Sequence, residues 1–306
     1  MPNPPELEVL IASFGKEGLE RLSRLAPPEI PGVRWLVSSQ IPDGIFPPLP
    51  ENLRRKDIHV NFSPSKGLAH NRNLLLDMAK APLCLIGDDD VIFSSDGLLK
   101  IIDTFQKHPE ISIAAFKYNS ILTNDRINPD LSLPAVSEKT YPSSPFPLDR
   151  PAKGFYISAI EIAFRRPDII KKGIRFNENF GINAPYPCGE DSVFLSDCLT
   201  AGLKGSFFPI HIATHLGSST GTREMAHPAI LRTQGVLIPI QYPLSAMPRL
   251  VLKAWRSSKA SSRSFPFCLM HILKGWMDFI LYRKKLFPSV KQINNNSLQS
   301  IVYCLL

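Results

Sequence analysis

The sequence predicts an α/β domain with a mostly parallel central sheet flanked by helices, extended at its C-terminus by further helices. Three observations carry this. Apolar runs of strand length alternate with amphipathic segments of helix length through the first 118 residues, which is the rhythm of a sheet with crossover helices. The chain has 306 residues, 44% of them hydrophobic, enough to bury a large core. Beyond about Arg223 the strand pattern gives way to helical spacing.

Each element follows in order. Glu6 to Ser13, "ELEVLIAS", reads as a buried strand, and Lys16 to Leu25 as a helix with Leu19, Leu22 and Leu25 on one side. Val33 to Ser39 and Asp57 to Phe62 read as the second and third strands. Gly67 to Lys80 is predicted as a helix that Ala81-Pro82 stops, and Leu83 to Ile86 as the fourth strand. A helix over Gly97 to His108, capped by Ser95 or Asp96, leads to a fifth strand over Ile111 to Tyr118. Asn119 to Lys153 is rich in Pro, Ser and Asn and has no period, as expected of a functional loop. Alternation returns at Phe155 to Arg166, read as a strand. A helix is predicted over Glu190 to Leu203 and a strand over Gly205 to Ala213. The division expected is a catalytic domain over 1–222, with a first half over 1–118 and a second over 119–222, and a helical basic extension over 223–306.

The formal net charge of +8 is unevenly placed. From Arg249 onward ten Lys and Arg face one acid, Asp278, whereas residues 1–248 hold 25 basic and 26 acidic side chains. A neutral body with a basic tail points to a surface contact made by the tail. Five cysteines, none in a CxxC pair, read as free thiols of a reducing compartment. "MPNPPELE" has neither a basic start nor an apolar run, and no stretch of about 18 apolar residues follows, so the expectation is a cytoplasmic chain without a membrane span.

Four stretches carry chemistry. In "LCLIGDDDVIF" an apolar strand ends on Asp88, Asp89 and Asp90. In an extended chain residues i and i+2 share a side, so Asp88 and Asp90 are expected to face one site at the C-terminal end of a parallel strand, with Asp89 turned away. Two close carboxylates repel, and a divalent cation with oxygen ligands would remove that cost. N-capping of the next helix explains them less well, since that helix has its own cap further on. In "SKGLAHNRNLLL" Gly67 precedes a helix on which Arg72 could reach a phosphate or nucleotide carbonyl, although an ordinary solvated face would look the same. In "CGEDSVFLSDCL" Glu190 and Asp191 open a helix. Acids there suit the helix dipole whatever the function, or one of them is a general base. In "PIHIATHLGSSTG" His215 follows a strand, and beside a carboxylate site it gains weight as a metal ligand.

In this order the stretches resemble the family 2 glycosyltransferases of the GT-A (nucleotide-diphospho-sugar transferase) fold, from about Leu7 to Gly221. The first strand ends in Ala12-Ser13-Phe14, a Gly-x-x-x-x-Arg-Asn helix spans Gly67 to Asn73, and sixteen residues separate Arg72 from Asp88. Glu190-Asp191 resembles the family's late acidic pair, and His215 its metal-contacting His. The resemblance implies that Asp88 and Asp90 form an Asp-x-Asp motif with His215 around Mn²⁺ or Mg²⁺, Asp90 being the direct ligand, on the diphosphate of a nucleotide-sugar. It implies Asp191 as the base that deprotonates the acceptor hydroxyl, Glu190 as a positioning group, and inversion at the anomeric carbon. Ala12, Ser13, Phe14, Ser39, Gly67, Arg72, Asp88 and Asp89 would contact the donor. Two departures bear on the nucleotide base: Ser38-Ser39-Gln40 stands where the family often has acids, and His70 where it usually has Ala.

The implied function is sugar transfer, from a UDP-hexose, to a glycan or lipid-linked glycan acceptor in bacterial surface polysaccharide synthesis, lipopolysaccharide or capsule. The basic helices could reach an anionic membrane: Arg249, Lys253 and Arg256 form one stripe, and His271, Lys274, Gly275, Asp278 and Tyr282 form a narrow polar stripe on a wide apolar helix. Packing of the tail on the domain is the other reading. A sugar nucleotidyltransferase would need a Gly-rich signature near the first strand, and Gly15-Lys16 alone does not supply it. A nucleic-acid-binding module would interleave aromatics with the basic residues, which this tail does not, so no nucleic acid is expected. An inactive scaffold keeping the fold is the remaining alternative.

Overall fold

The computed structural model describes residues 4–123, 129–137, 139–149, 155–217 and 226–287. The predicted alternation is present. Strand β1 (Leu7–Phe14) leads to helix α1 (Gly15–Leu25), then β2 (Val33–Gln40), β3 (Ile58–Ser63), α2 (Leu68–Met78) and β4 (Leu83–Asp88). After β5 (Val91–Phe93) come α3 (Ser95–Lys107) and β6 (Ile113–Ile121), then the two-residue strands β7 (Ala135–Val136) and β8 (Phe146–Pro147). Next are β9 (Ile162–Arg165), α4 (Arg166–Lys171), α5 (Glu190–Thr200) and β10 (Gly205–Leu216). The extension holds α6 (Pro228–Gln241), α7 (Ala246–Lys259) and α8 (Phe265–Leu286).

The sheet runs β3-β2-β1-β4-β9-β6-β10-β5, with β7 on β6 and β8 on β10. β1, β2, β3 and β4 pair in parallel, as do β6 and β10. β9 is antiparallel to both its neighbours, and β5 to β10, so the sheet is mixed around a parallel half. Alternate residues of one strand feed two cores. Val9 and Ile11 pack with Leu19 and Leu22 of α1 and with Leu98, Ile101 and Phe105 of α3. Leu10 and Ala12 pack on the other face with Leu75 and Leu76 of α2 and with Phe194 and Leu195 of α5. That two-sided burial is why β1 reads as a continuous apolar run.

Four expectations are corrected. The cap of α3 is Ser94, not Ser95 or Asp96: its extended backbone lets its side chain accept from the Gly97 N–H at 3.2 Å. Of the stretch read as a strand from Phe155, Tyr156 makes an isolated bridge and Ile162–Arg165 forms the strand that joins the sheet. Ahead of it Ala159–Glu161 is a 3₁₀ turn, because the Glu161 side chain turns inward and accepts from the Ser158 N–H. The last strand continues past Ala213, so His215 lies on β10 rather than after it. β4 likewise runs on to Asp88, and the aspartate triplet divides between strand and turn.

The extension packs on the domain. Val236, Leu237, Leu286 and Phe287 share a core with Phe180, Tyr186 and Val193. Leu231 and Ile238 of α6 join Leu250 and Ala254 of α7 and Cys268 and Ile272 of α8 in another. No helix among the described residues is long and apolar enough to cross a membrane. Cys84, Cys188, Cys198 and Cys268 are free thiols, and Cys304 lies outside the described residues.

Candidate active site

At the C-terminal ends of β1 and β4 a cavity of about 950 Å³ opens, and its far wall is made by α6 and α7. Open α/β sheets bind ligands at this edge. Register explains what converges there. Ala12 lies beside Asp88 across the β1–β4 ladder. The chain then turns through Asp89 and Asp90 into β5, whose Val91 lies opposite His215 of β10, and the Leu216 N–H donates to the Asp90 carbonyl at 2.9 Å. One turn is thereby tied to both sides of the sheet.

The three aspartates take three different partners. Asp88 accepts from Arg72 Nη2 at 3.0 Å. Asp89 accepts from Arg21 Nη2 at 2.7 Å and from the Phe14 N–H at 3.3 Å, so it faces α1 and the end of β1. Burial pushes the Asp89 carboxyl up to about 6, against the opposing pull of Arg21. Asp90 faces His215, with Oδ1 3.5 Å from Nε2.

Arg72 is 3% exposed. Its Nη1 donates to Glu190 at 2.7 Å while Nη2 holds Asp88, so it joins the aspartate turn to the start of α5. Burial works against its charge, and Asp88 and Glu190 outweigh burial and keep it ionised. Its neighbours explain why α2 has a polar buried face. Asn71 donates to the carbonyls of Ser13 and Ser38 at 3.1 and 2.9 Å, and Asn73 exchanges hydrogen bonds with the Phe176 backbone.

Glu190 and Asp191 begin α5 because Gly189 precedes them at φ +89°, a left-handed turn, with Leu237 2.6 Å from where a Cβ would stand. Burial pushes the Glu190 carboxyl up, Asp191 adds to this, and Arg72 opposes both. Asp191 Oδ1 accepts from the Ser192 N–H at 2.7 Å and its hydroxyl at 3.3 Å. Its Oδ2 takes no hydrogen bond from a described residue, and the side chain lines the cavity.

His215 has a defined tautomer. Nδ1 lies 2.7 Å from the Gly217 carbonyl, which can only accept, so Nδ1 carries the hydrogen. In the neutral ring the Nε2 lone pair then faces the Asp90 carboxylate. A proton on Nε2 would make this an ion pair, and a divalent cation beside the two would serve as well; a ring with Nδ1–H on a carbonyl and Nε2 turned to the site is also how histidine ligates metals. The pair therefore fits Mn²⁺ or Mg²⁺, which take one or two protein ligands and complete their shell with water and phosphate oxygens. Asp88 is held apart from this pair by Arg72. No three His, Cys, Asp or Glu side chains among the described residues are grouped to hold a metal.

Of the other predicted residues, Ala12, Ser13, Phe14 and Arg72 line the cavity. Ser39 is buried and does not line it; Gln40 beside it does. Gly67 sits at φ +105° before α2, and Leu68 is the nearest cavity residue there. The Gly-rich run after Gly217 lies outside the described residues. Arg21 escapes sequence reading because it looks like any helix-surface cation. A second missed feature centres on Lys139. Lys139 pairs with buried Glu161, and its Nζ lies 4.2 Å from the Tyr156 ring centre and 5.3 Å from those of Tyr118 and Tyr141. The Arg249, Lys253 and Arg256 stripe was legible, but it faces the cavity.

Among solved structures, the fold is similar to S. aureus TarS 1–349 in complex with UDP-GlcNAc, with a TM-score of 0.50 and 11% identity over 96% of this chain and 78% of that chain. A second structure of TarS 1–349, in complex with UDP, has a TM-score of 0.48 and 11% identity over 95% of this chain and 76% of that one. At such identity the likeness is one of fold, and the fold is GT-A-like: a central mixed sheet flanked by helices. No family model matches the chain, and no curated protein matches it.

Proposed function

We propose that this chain is a metal-dependent, inverting glycosyltransferase of the family 2 kind. It moves a hexose from a nucleotide-diphosphate sugar, UDP-hexose by preference, to a glycan acceptor in bacterial surface polysaccharide synthesis, lipopolysaccharide or capsule. The observation that carries the reading is one cavity at the C-terminal sheet edge holding both the Asp90–His215 pair and the Asp191 carboxylate. Asp90 and His215 would hold Mn²⁺ or Mg²⁺, which supplies Lewis-acid stabilisation of the leaving diphosphate. Ala12, Ser13 and Phe14 line the donor side, and Arg72 fixes Asp88 and Glu190 so that the turn and α5 keep their spacing. Asp191 Oδ2 takes the proton of the acceptor hydroxyl as the hydroxyl oxygen attacks the anomeric carbon. The bond from this carbon to the phosphate oxygen breaks, the nucleoside diphosphate leaves with the electron pair, and a single displacement inverts the centre. The site is placed on the cytoplasmic face of a membrane, with the C-terminal helices as a peripheral contact that suits a lipid-linked acceptor.

The test is a screen of UDP-, GDP- and dTDP-sugars for Mn²⁺-dependent binding and hydrolysis. One nucleotide-sugar binds the wild type, and Asp90→Ala loses the metal-dependent part. Asp191→Asn keeps donor binding while transfer falls by about 10²–10⁴. Absence of binding by every nucleotide-sugar would overturn the reading, and transfer by Asp191→Asn at the wild-type rate would remove Asp191 as base.

A further inference from the structure

Helix α7 has no acidic residue. Arg249, Lys253 and Arg256 stand at helical spacing i, i+4 and i+7, so they share one face, and all three line the cavity. No carboxylate of a described residue forms an ion pair with any of them. Arg249 instead lies over the Tyr242 ring at 3.8 Å and donates to Ser245 Oγ at 2.9 Å. Half-buried Lys253 stands near Cys188 and Arg256, and burial lowers its pKa. Across the cavity Asp88 and Glu190 share Arg72 and Asp89 has Arg21, while Asp191 and Glu17 line the same cavity without forming an ion pair with any of the three cations. The wall of α7 thus holds three cations on one helix face, none ion-paired to a carboxylate of a described residue, facing a cavity of about 950 Å³. Like charges three and four apart on a helix are destabilising unless an anion sits among them.

We propose that Arg249, Lys253 and Arg256 form a second anion subsite, which takes a phosphate carried by the acceptor. Lys253 stands next to Cys188, two residues before the α5 acids, so this subsite borders the side on which Asp191 would meet the acceptor hydroxyl. The word acceptor rests on the glycosyltransferase reading, whereas the anion subsite rests on the geometry alone. A phosphate here orients the acceptor from a point away from the reacting hydroxyl, and the substrate class becomes phosphorylated glycans, whether lipid-linked or in a phosphodiester chain.

The test uses the full chain with glucose 6-phosphate as probe, glucose as its neutral control, and UDP with Mn²⁺ measured separately as the donor probe. Glucose 6-phosphate binds the wild type in the presence of saturating UDP and Mn²⁺, and glucose binds at least about tenfold more weakly. Lys253→Gln and the exposed Arg256→Gln each weaken glucose 6-phosphate about tenfold and change UDP affinity less than about twofold, while Lys253→Arg retains binding. A parallel loss of UDP affinity would assign the cations to the donor diphosphate and overturn the proposal, as would a wild type that ignores glucose 6-phosphate. A wild type that fails to bind UDP but binds glucose 6-phosphate through Lys253 keeps the subsite and sinks the glycosyltransferase reading instead. If both probes depend on Lys253 only through folding, Arg256→Gln separates them, since its side chain is exposed. An unchanged glucose 6-phosphate affinity in that variant counts against the proposal. The two phosphate sources are resolved by comparing a lipid-linked and a water-soluble phosphorylated glycan acceptor at the same concentration.

Discussion

Arg72 sits between half-buried Asp88 and buried Glu190, and without it Glu190 would be desolvated with no countercharge beside it. Taking away one member of a buried ion-pair set leaves the others desolvated and unpaired, which costs about 3–5 kcal/mol. Arg72→Met is therefore expected to destabilise the fold by that order. The loss depends on pH. Burial raises the folded pKa of Glu190 to about 6, and its unfolded value is about 4.3. A raised carboxyl stabilises the fold fully below the unfolded value and loses that contribution as pH rises through the folded one. Without Arg72 the folded pKa climbs further, so the deficit should be larger at pH 8 than at pH 5. Urea midpoints of both proteins at the two pH values measure it; a deficit that is the same at both would show that Arg72 acts by packing and not by charge. Arg72 was expected to reach a phosphate or nucleotide carbonyl, and it instead holds Asp88. What spacing could not show was Glu190, 118 positions away, which takes the other end of the guanidinium.

Helices α6 and α8 meet at two glycines. A Cβ on Gly235 would stand 2.0 Å from the Ile272 carbonyl oxygen, and one on Gly275 1.8 Å from that of Arg232. These neighbours are backbone and cannot swing aside, so Gly235→Ala must push the helices apart. Overpacking of this kind costs about 1–3 kcal/mol, and a lower urea midpoint with an unchanged slope would report it. A Gly235→Ala protein as stable as the wild type would mean that the helices do not cross here. The polar stripe of α8 is part of this packing: Gly275 lies on α6 and Asp278 accepts from Arg232 Nε. Periodicity tells which residues share a face, but not what that face meets. Strands β1 to β4 and helices α1, α2 and α5 were legible because burial on a sheet imposes a period on the residues themselves. The aspartate turn was legible because three adjacent charges after an apolar strand need a reason. The 3₁₀ turn at Ala159–Glu161 was not, since the alternation of Ile157, Ala159 and Glu161 looks like a strand, and Glu161 is held inside by Lys139 from 22 positions upstream.

Charge and apolar surface separate on the scale of the molecule. The basic stripe of α7 turns inward, and the opposite side of the extension presents Leu244 (92% exposed), Met247, Val251 and Trp255 to solvent, with Met277, Ile280 and Leu281 of α8 exposed as well. On α7 Met247, Val251 and Trp255 recur at helical spacing, so they form one ridge rather than scattered singles. Lys259 and Arg263 follow at its end, and the region from Arg249 holds ten basic residues against one acid. An apolar ridge beside a strong positive charge matches an anionic bilayer surface better than a second copy of the same basic extension, whose charge would repel it. The protein is expected to co-sediment with vesicles of phosphatidylcholine and phosphatidylglycerol and much less with phosphatidylcholine alone. High salt should weaken this only in part, because the ridge supplies a term that salt does not screen. Val251→Ser with Trp255→Ser should lower the partition by about tenfold or more, since two buried apolar side chains contribute about 1.5–3 kcal/mol each. Binding that ignores the ridge variants would leave only non-specific attraction by the basic residues. Concentration-dependent dimers lost in the same variants would make a second copy the occupant, and the membrane contact would then fail.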